Sequence, residues 1–199
     1  CYTLSNGIKI PCIGYGTFKM PEGGDTTEAV LAAITAGYRH IDTAQTYGNE
    51  ASVSAALKRS PVPRQQLFLT SKLGNNSHGL QATREAFRAT LENLGTDYLD
   101  LYLIHQVDDS VPLRETMRAL NRLVDEKLIR FIGVSNFAEE RFRHAQGWAD
   151  SKLVANQIHY NLKVREAERS GMLKFCQEND VMLIAWRPLQ KGFLLNGTP

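Results

Sequence analysis

The chain has 199 residues, 43% of them hydrophobic and 22% charged, with a formal net charge of +2. This is ordinary globular composition, enough for one domain around a sizeable core. The near-balanced charge points away from a nucleic-acid or membrane partner, no run of about 18 apolar residues could span a bilayer, and the opening residues lack a secretory pattern.

Taken in chain order, Tyr2–Ile10 alternates in polarity and carries Asn6-Gly7, a strong hairpin signal. Ile13–Phe18 reads as a short Gly-rich strand, and Thr26–Ala36 has helical spacing that Gly37 stops. The pattern then repeats. Strand Arg39–Thr43 precedes helix Asn49–Lys58; strand Leu67–Lys72 precedes helix Leu80–Leu94, closed by Gly95. Strand Leu99–His105 precedes helix Pro112–Glu126, with proline in the first turn. Strand Phe131–Ser135 precedes helix Glu139–Trp148, strand Ala155–Ile158 precedes helix Arg165–Asn179, and strand Val181–Trp186 comes last. Several strands (LDLYLI, VMLIAW) are almost continuously apolar, as strands covered on both faces are.

Regular alternation of strand and helix predicts an α/β fold with a parallel sheet. Units of about 25–35 residues suit a (β/α)8 TIM barrel. A doubly wound open sheet is the competitor, but IGYGTFKM supplies only GxG of its fingerprint. One domain over residues 1–199 is expected. The cysteines, Cys1, Cys12 and Cys176, have no spacing for zinc or a redox pair and read as reduced thiols of a cytoplasmic protein. The chain begins at Cys1 rather than methionine, so the gene's start is expected to lie elsewhere.

A barrel of this kind builds its active site at the C-terminal ends of the strands. Those positions hold Thr17, Asp42, Lys72, His105, Ser135, Asn136, Gln157 and Trp186, nearly all polar or aromatic. Tyr47 follows on the loop after Asp42. A tyrosine hydroxyl titrates near pH 10, and a neighbouring ammonium such as Lys72 lowers that value. Lys72 then needs a partner, which Asp42 can supply, and His105 can share a proton or orient a carbonyl oxygen. Such a set suits an oxygen that becomes negative as hydride reaches carbon. Singly, each residue has a plainer reading: Asp42 as a turn residue, Lys72 as a solvated strand end, His105 as a structural histidine, Tyr47 as packing. Ser135, Asn136 and Gln157 can hydrogen-bond a planar amide, or simply tie the rim to backbone. Trp186 offers a face for a heteroaromatic ring, or packs on its neighbours.

GYRHIDTAQTYGNE, LTSKL, DYLDLYLIH, IGVSNF, ANQIHYN and AWRPLQKG occur in this order. With them the chain closely resembles the aldo-keto reductases over essentially its whole length. The resemblance implies reduction of aldehydes or ketones by direct hydride transfer from NADPH, with NADH as the alternative and no metal. It implies Tyr47 as general acid, Lys72 lowering its pKa, Asp42 paired with Lys72, and His105 positioning the carbonyl. Cofactor contacts are implied for Gly16, Thr17, Phe18, Asp42, Ser135, Asn136, Gln157, Trp186, Arg187, Pro188 and Leu189. Phe18, Tyr47, His105 and Phe137 are expected to line the substrate pocket from their place on the rim. The partner is a small carbonyl compound, not nucleic acid or membrane; the oligomeric state is left open.

Gln106-Val107 replaces the Trp-Pro that often follows the family's histidine. Trp186-Arg187-Pro188-Leu189 replaces Tyr-Ser-Pro-Leu, setting Arg187 near the cofactor's pyrophosphate. The chain reaches Pro199 just after its seventh barrel strand, so a truncated barrel is expected, without the eighth strand, the C-terminal loop and the segment that grips the 2′-phosphate. Two other readings stand beside the enzyme: a cofactor-binding regulatory subunit of the same fold, and a non-catalytic truncated form.

Overall fold

A computed structural model describes residues 1–194 of the chain, so the expected end at Pro199 lies outside the described residues. The N-terminal hairpin pairs β1 (Tyr2–Thr3) antiparallel to β2 (Lys9–Ile10). Its turn needs a left-handed residue, and Gly7 takes φ 85° while the Asn6 side chain accepts from the Ile8 amide at 3.2 Å.

Seven strands follow: β3 (Gly14–Gly16), β4 (His40–Asp42), β5 (Phe68–Leu73), β6 (Leu99–Ile104), β7 (Ile129–Ser135), β8 (Leu153–His159) and β9 (Met182–Trp186). They form one sheet in chain order, every neighbouring pair parallel. Between them run α1 (Gly24–Thr35), α2 (Glu50–Arg59), α3 (Leu80–Leu94), α4 (Leu113–Asp125), α5 (Glu139–Trp148), α6 (Glu166–Arg169) and α7 (Met172–Glu178). Helices α3 and α5 have the predicted limits. The single helix predicted over Arg165–Asn179 is two, because Gly171 turns left-handed at φ 79° and restarts the chain as α7. The predicted strand Ile13–Phe18 is extended only at its centre.

Strand alternation sorts the apolar residues into two layers. Ile41, Leu69, Leu73, Tyr102, Ile104, Ile132 and Val134 pack outward against Val30, Val53, Phe87, Leu120, Phe142 and Phe175 of the helices. Phe68, Leu101 and Leu103 face inward, as do the consecutive Val154 and Ala155 where a bulge in β8 sets two residues against Gly133, and they pack with Leu4 and Ile10 of the hairpin, which plugs one end of the barrel interior. Full burial of each such leucine or isoleucine contributes roughly 1.5–3 kcal/mol. Gly133 of β7 lets the interior close: a Cβ there would stand 2.6 Å from Leu103 Cδ2 and 2.9 Å from the Ala155 carbonyl. The sheet is curled, since Gln157 at the end of β8 hydrogen-bonds Asp42 at the end of β4, four strands away in the sheet order. No helix among the described residues is long and apolar enough to cross a membrane.

Candidate active site

At the end opposite the plug, the inward positions turn polar. Asp42 ends β4, and a 3-10 turn over Gln45–Tyr47 carries Tyr47 back over the mouth, closed by Gly48 at φ 66°. Lys72 lies on β5 with no solvent exposure. Its ammonium donates to Asp42 Oδ1 at 2.6 Å, to the Thr43 carbonyl at 2.8 Å and to Tyr47 Oη at 3.1 Å. An ammonium has three donors, and all three are used. Because Lys72 donates to the Tyr47 oxygen, the phenol's own proton is left to point elsewhere.

Charge states follow from these contacts. Burial pulls Lys72 down, but Asp42 and Tyr47 outweigh it and hold the ammonium above the ordinary lysine value. Burial pushes Tyr47 above the ordinary phenol value; Lys72 acts in the expected lowering direction and is outweighed. His105, just past β6, is pulled down to about 4 by burial and by the Lys72 charge. At neutral pH it is an uncharged imidazole. Its Nδ1 meets Thr46 Oγ1 at 3.1 Å, and its ring lies edge-on to Tyr47 with centroids 5.7 Å apart. When Thr46 donates to Nδ1, the proton of the neutral ring sits on Nε2.

The amide-type residues gather beside this group. Ser135 and Gln157 are register partners on β7 and β8, and Ser135 Oγ donates to the Gln157 carbonyl at 2.9 Å. Gln157 Nε2 donates to Asp42 Oδ2 at 2.8 Å. Asn136, left-handed at φ 61°, donates to Ser135 Oγ and to the His105 carbonyl, and its Oδ1 accepts from Trp186 Nε1 at 3.0 Å. Trp186 stacks on His159, centroids 4.0 Å apart and planes 6° from parallel. Phe18 is exposed, its ring centroid 5.1 Å from that of Tyr47.

Gly16 ends β3 in register with Asp42, and Pro188 and Leu189 are exposed on the loop after β9. Thr17 is fully buried, its hydroxyl shared with Thr43 and Asn49. Phe137 departs from its expected place: the left-handed Asn136 breaks the strand's alternation, and Phe137, 2% exposed, packs in the sheet–helix layer beside Asn156. Sequence reasoning missed Asn49, which is fully buried and donates to the Thr17 and Met20 carbonyls, both at 2.9 Å. It also missed Thr46, His159 and the Thr43 carbonyl. The TYGNE segment was the available signal for Thr46 and Asn49, and ANQIHYN was the signal for His159.

The aldo/keto reductase family matches residues 12–198. The chain belongs to this family. The glyoxal reductase of Bacillus subtilis (strain 168) is 41% identical over 193 residues, covering 97% of this chain and 68% of that protein. A thermostable aldo-keto reductase solved with the inhibitor epalrestat superposes with a TM-score of 0.91 at 36% identity, covering 97% of this chain and 74% of the other. A Bombyx mori aldo-keto reductase solved with NADP is 32% identical with a TM-score of 0.81, covering 94% of this chain and 66% of the other. The (β/α) barrel architecture, the oxidoreductase class and the family membership are thereby established; the chain spans about two thirds of the glyoxal reductase's length.

Proposed function

We propose that this chain reduces small aldehydes or ketones to alcohols with NADPH. The observation that carries the reading is the triple engagement of Lys72, itself without solvent exposure, by Asp42, the Thr43 carbonyl and Tyr47. It fixes a cation under the phenol oxygen while leaving the phenol proton free.

The side chains fit a nicotinamide cofactor. Ser135, Asn136 and Gln157 bring amide and hydroxyl groups from adjoining strand ends to one side of Tyr47, and Trp186 presents an indole beside them. These would hold the carboxamide and ring, with Gly16, Pro188 and Leu189 along the approach. When bound, the cofactor supplies the hydride. The remaining work belongs to the chain. Tyr47 stays protonated at neutral pH and gives its proton to the carbonyl oxygen as negative charge develops there. Lys72 stabilises the phenolate that remains, and Asp42 holds Lys72 in place. His105, neutral, orients the carbonyl through Nε2 rather than sharing a proton. The three unpaired cysteines support a reducing, cytoplasmic setting.

Tyr47→Phe tests the proposal. It should keep NADPH binding and lose turnover of a panel of small aldehydes by about 10²–10⁴-fold; retained turnover would sink the assignment of Tyr47.

A further inference from the structure

The segment that carries Tyr47 is fastened to β5 on both sides of Lys72. Gln45 opens the 3-10 turn, and its Oε1 accepts from the Gly74 amide at 2.9 Å, two residues past Lys72. Glu50 opens α2, and its Oε1 accepts from Ser71 Oγ at 2.7 Å, one residue ahead of Lys72. Successive side chains of a strand point to opposite faces. Ser71 therefore faces the helices while Lys72 faces the mouth, and Glu50 holds β5 from behind at the level where the ammonium works in front. The fit at the other fastening is close: a Cβ on Gly74 would stand 2.5 Å from Gln45 Oε1.

Glu50 is a costly residue for this place. It is 3% exposed, and no cation pairs with it among the described residues. Burial pushes its carboxyl above the ordinary range, opposed by hydrogen bonds from Ser71 and Asn93. The groups around it are Ser71 of β5, Thr90 and Asn93 of α3 and Tyr102 of β6, with Lys72 across the sheet. An apolar side chain of similar size would pack there at less cost than a buried carboxyl without a cation. The dipole of α2 favours an acid in its first turn, but that preference does not require burial. Stability therefore does not account for Glu50; its reach to Ser71 does.

The contact between the two fastenings is narrow. Tyr47 Oη and Lys72 Nζ stand 3.1 Å apart, toward the long end of the hydrogen-bond range, and the ammonium's hold on the phenol falls away with distance. We propose that Gln45 and Glu50 are positioning residues, whose bonds to Gly74 and Ser71 set the Tyr47–Lys72 separation on which proton transfer from the phenol depends. This inference rests on the reductase reading and deepens it, adding two groups that act through Tyr47 and Lys72.

The test uses the full 199-residue chain with tyrosine labelled by carbon-13 at Cζ, the Tyr47 resonance being assigned by its loss in Tyr47→Phe. Lys72→Met marks where that resonance stands once the ammonium is gone. Ser71→Ala should move it part of the way there and lower kcat for small aldehydes about tenfold, the size of one hydrogen bond to a charged group, with NADPH affinity held within about twofold. Gln45→Ala should do the same. Glu50→Gln, whose Oε1 still accepts from Ser71, should leave the resonance in place and kcat within about threefold. Glu50→Leu, which offers no acceptor, should behave as Ser71→Ala does. A lower urea midpoint with resonance and kcat unmoved in Ser71→Ala and Gln45→Ala would make both bonds merely structural and overturn the proposal. A Glu50→Gln chain as slow as Glu50→Leu would overturn it too, since charge rather than the bond would be at work. Should Glu50→Leu fail to fold, Ser71→Ala and Glu50→Gln decide between the outcomes. A resonance that moves as expected in a chain without turnover would uphold the positioning and refute the reductase reading.

Discussion

Asp42 serves two strands at once: its Oδ1 takes the Lys72 ammonium at 2.6 Å while its Oδ2 takes the Gln157 amide at 2.8 Å from across the mouth. The group proposed to hold the cofactor and the group proposed to move the proton therefore share one carboxylate. Substitution at Gln157 should be felt in both. Gln157→Leu is expected to weaken NADPH binding about tenfold, near the cost of one charge-assisted hydrogen bond, and to lower kcat severalfold. A cycle with Asp42→Asn should give a coupling on the order of 1 kcal/mol in cofactor affinity. Strict additivity, measured by fluorescence titration, would mean that the bond carries no function.

Lys72 is fully buried, and the Asp42 side chain is 16% exposed. Removing one member of such a pair leaves the other uncompensated. Lys72→Met should abolish turnover and cost about 3 kcal/mol of stability in urea unfolding. The double variant Asp42→Asn/Lys72→Met should regain most of that stability and none of the activity. Recovery of activity in the double variant would exclude Lys72 from the chemistry.

His105 supplies a pH test. Burial and Lys72 hold it down to about 4, below the ordinary value near 6.5. As pH falls, the unfolded chain binds the proton first. The stability associated with a neutral His105 is therefore complete above about pH 6.5 and is lost as pH falls toward about 4. Between pH 7 and 4.5 the unaltered chain should lose on the order of 2 kcal/mol more than His105→Asn, by urea midpoints at each pH. Parallel losses would show that the imidazole is not held neutral.

Tyr102 is fully buried on β6, edge-on to Phe87 at 5.0 Å, and its hydroxyl has no hydrogen-bond partner among the described residues. Such a group costs more buried than absent. Tyr102→Phe should raise stability by about 1 kcal/mol without altering kcat. A loss of stability in the urea transition would reveal a partner for the hydroxyl.

The repeating strand–helix rhythm was legible because the strands are apolar on both faces and the helices keep one apolar stripe; α3 even ends at its glycine as the sequence implies. The gathering of Asp42, Lys72 and His105 followed from the rule that barrels work at their strand ends. What failed was local geometry that side-chain type does not encode. Apolar spacing runs on through Ser170-Gly171, so the break between α6 and α7 was invisible. Phe137 stands one residue beyond Asn136, and only the left-handed turn there decides that it faces the helices. Lys72 was expected to dominate the Tyr47 hydroxyl; burial depth, which a sequence does not give, reverses the net direction.

The hairpin plug has a consequence for how the chain assembles. The Ser5 amide donates to Asp180 Oδ2 at 2.9 Å, a contact spanning 175 positions, and Asp180 also pairs with Lys152 at 2.8 Å. The residues synthesised early among those described thus find their partners only when the turn before β9 has been made. Contacts of such sequence separation form late and slowly. Until then the strands emerging from the ribosome expose the interior faces of Leu101 and Leu103, the kind of surface that chaperones bind. The hairpin thus ties the start of the chain to the turn before β9 across the foot of the sheet.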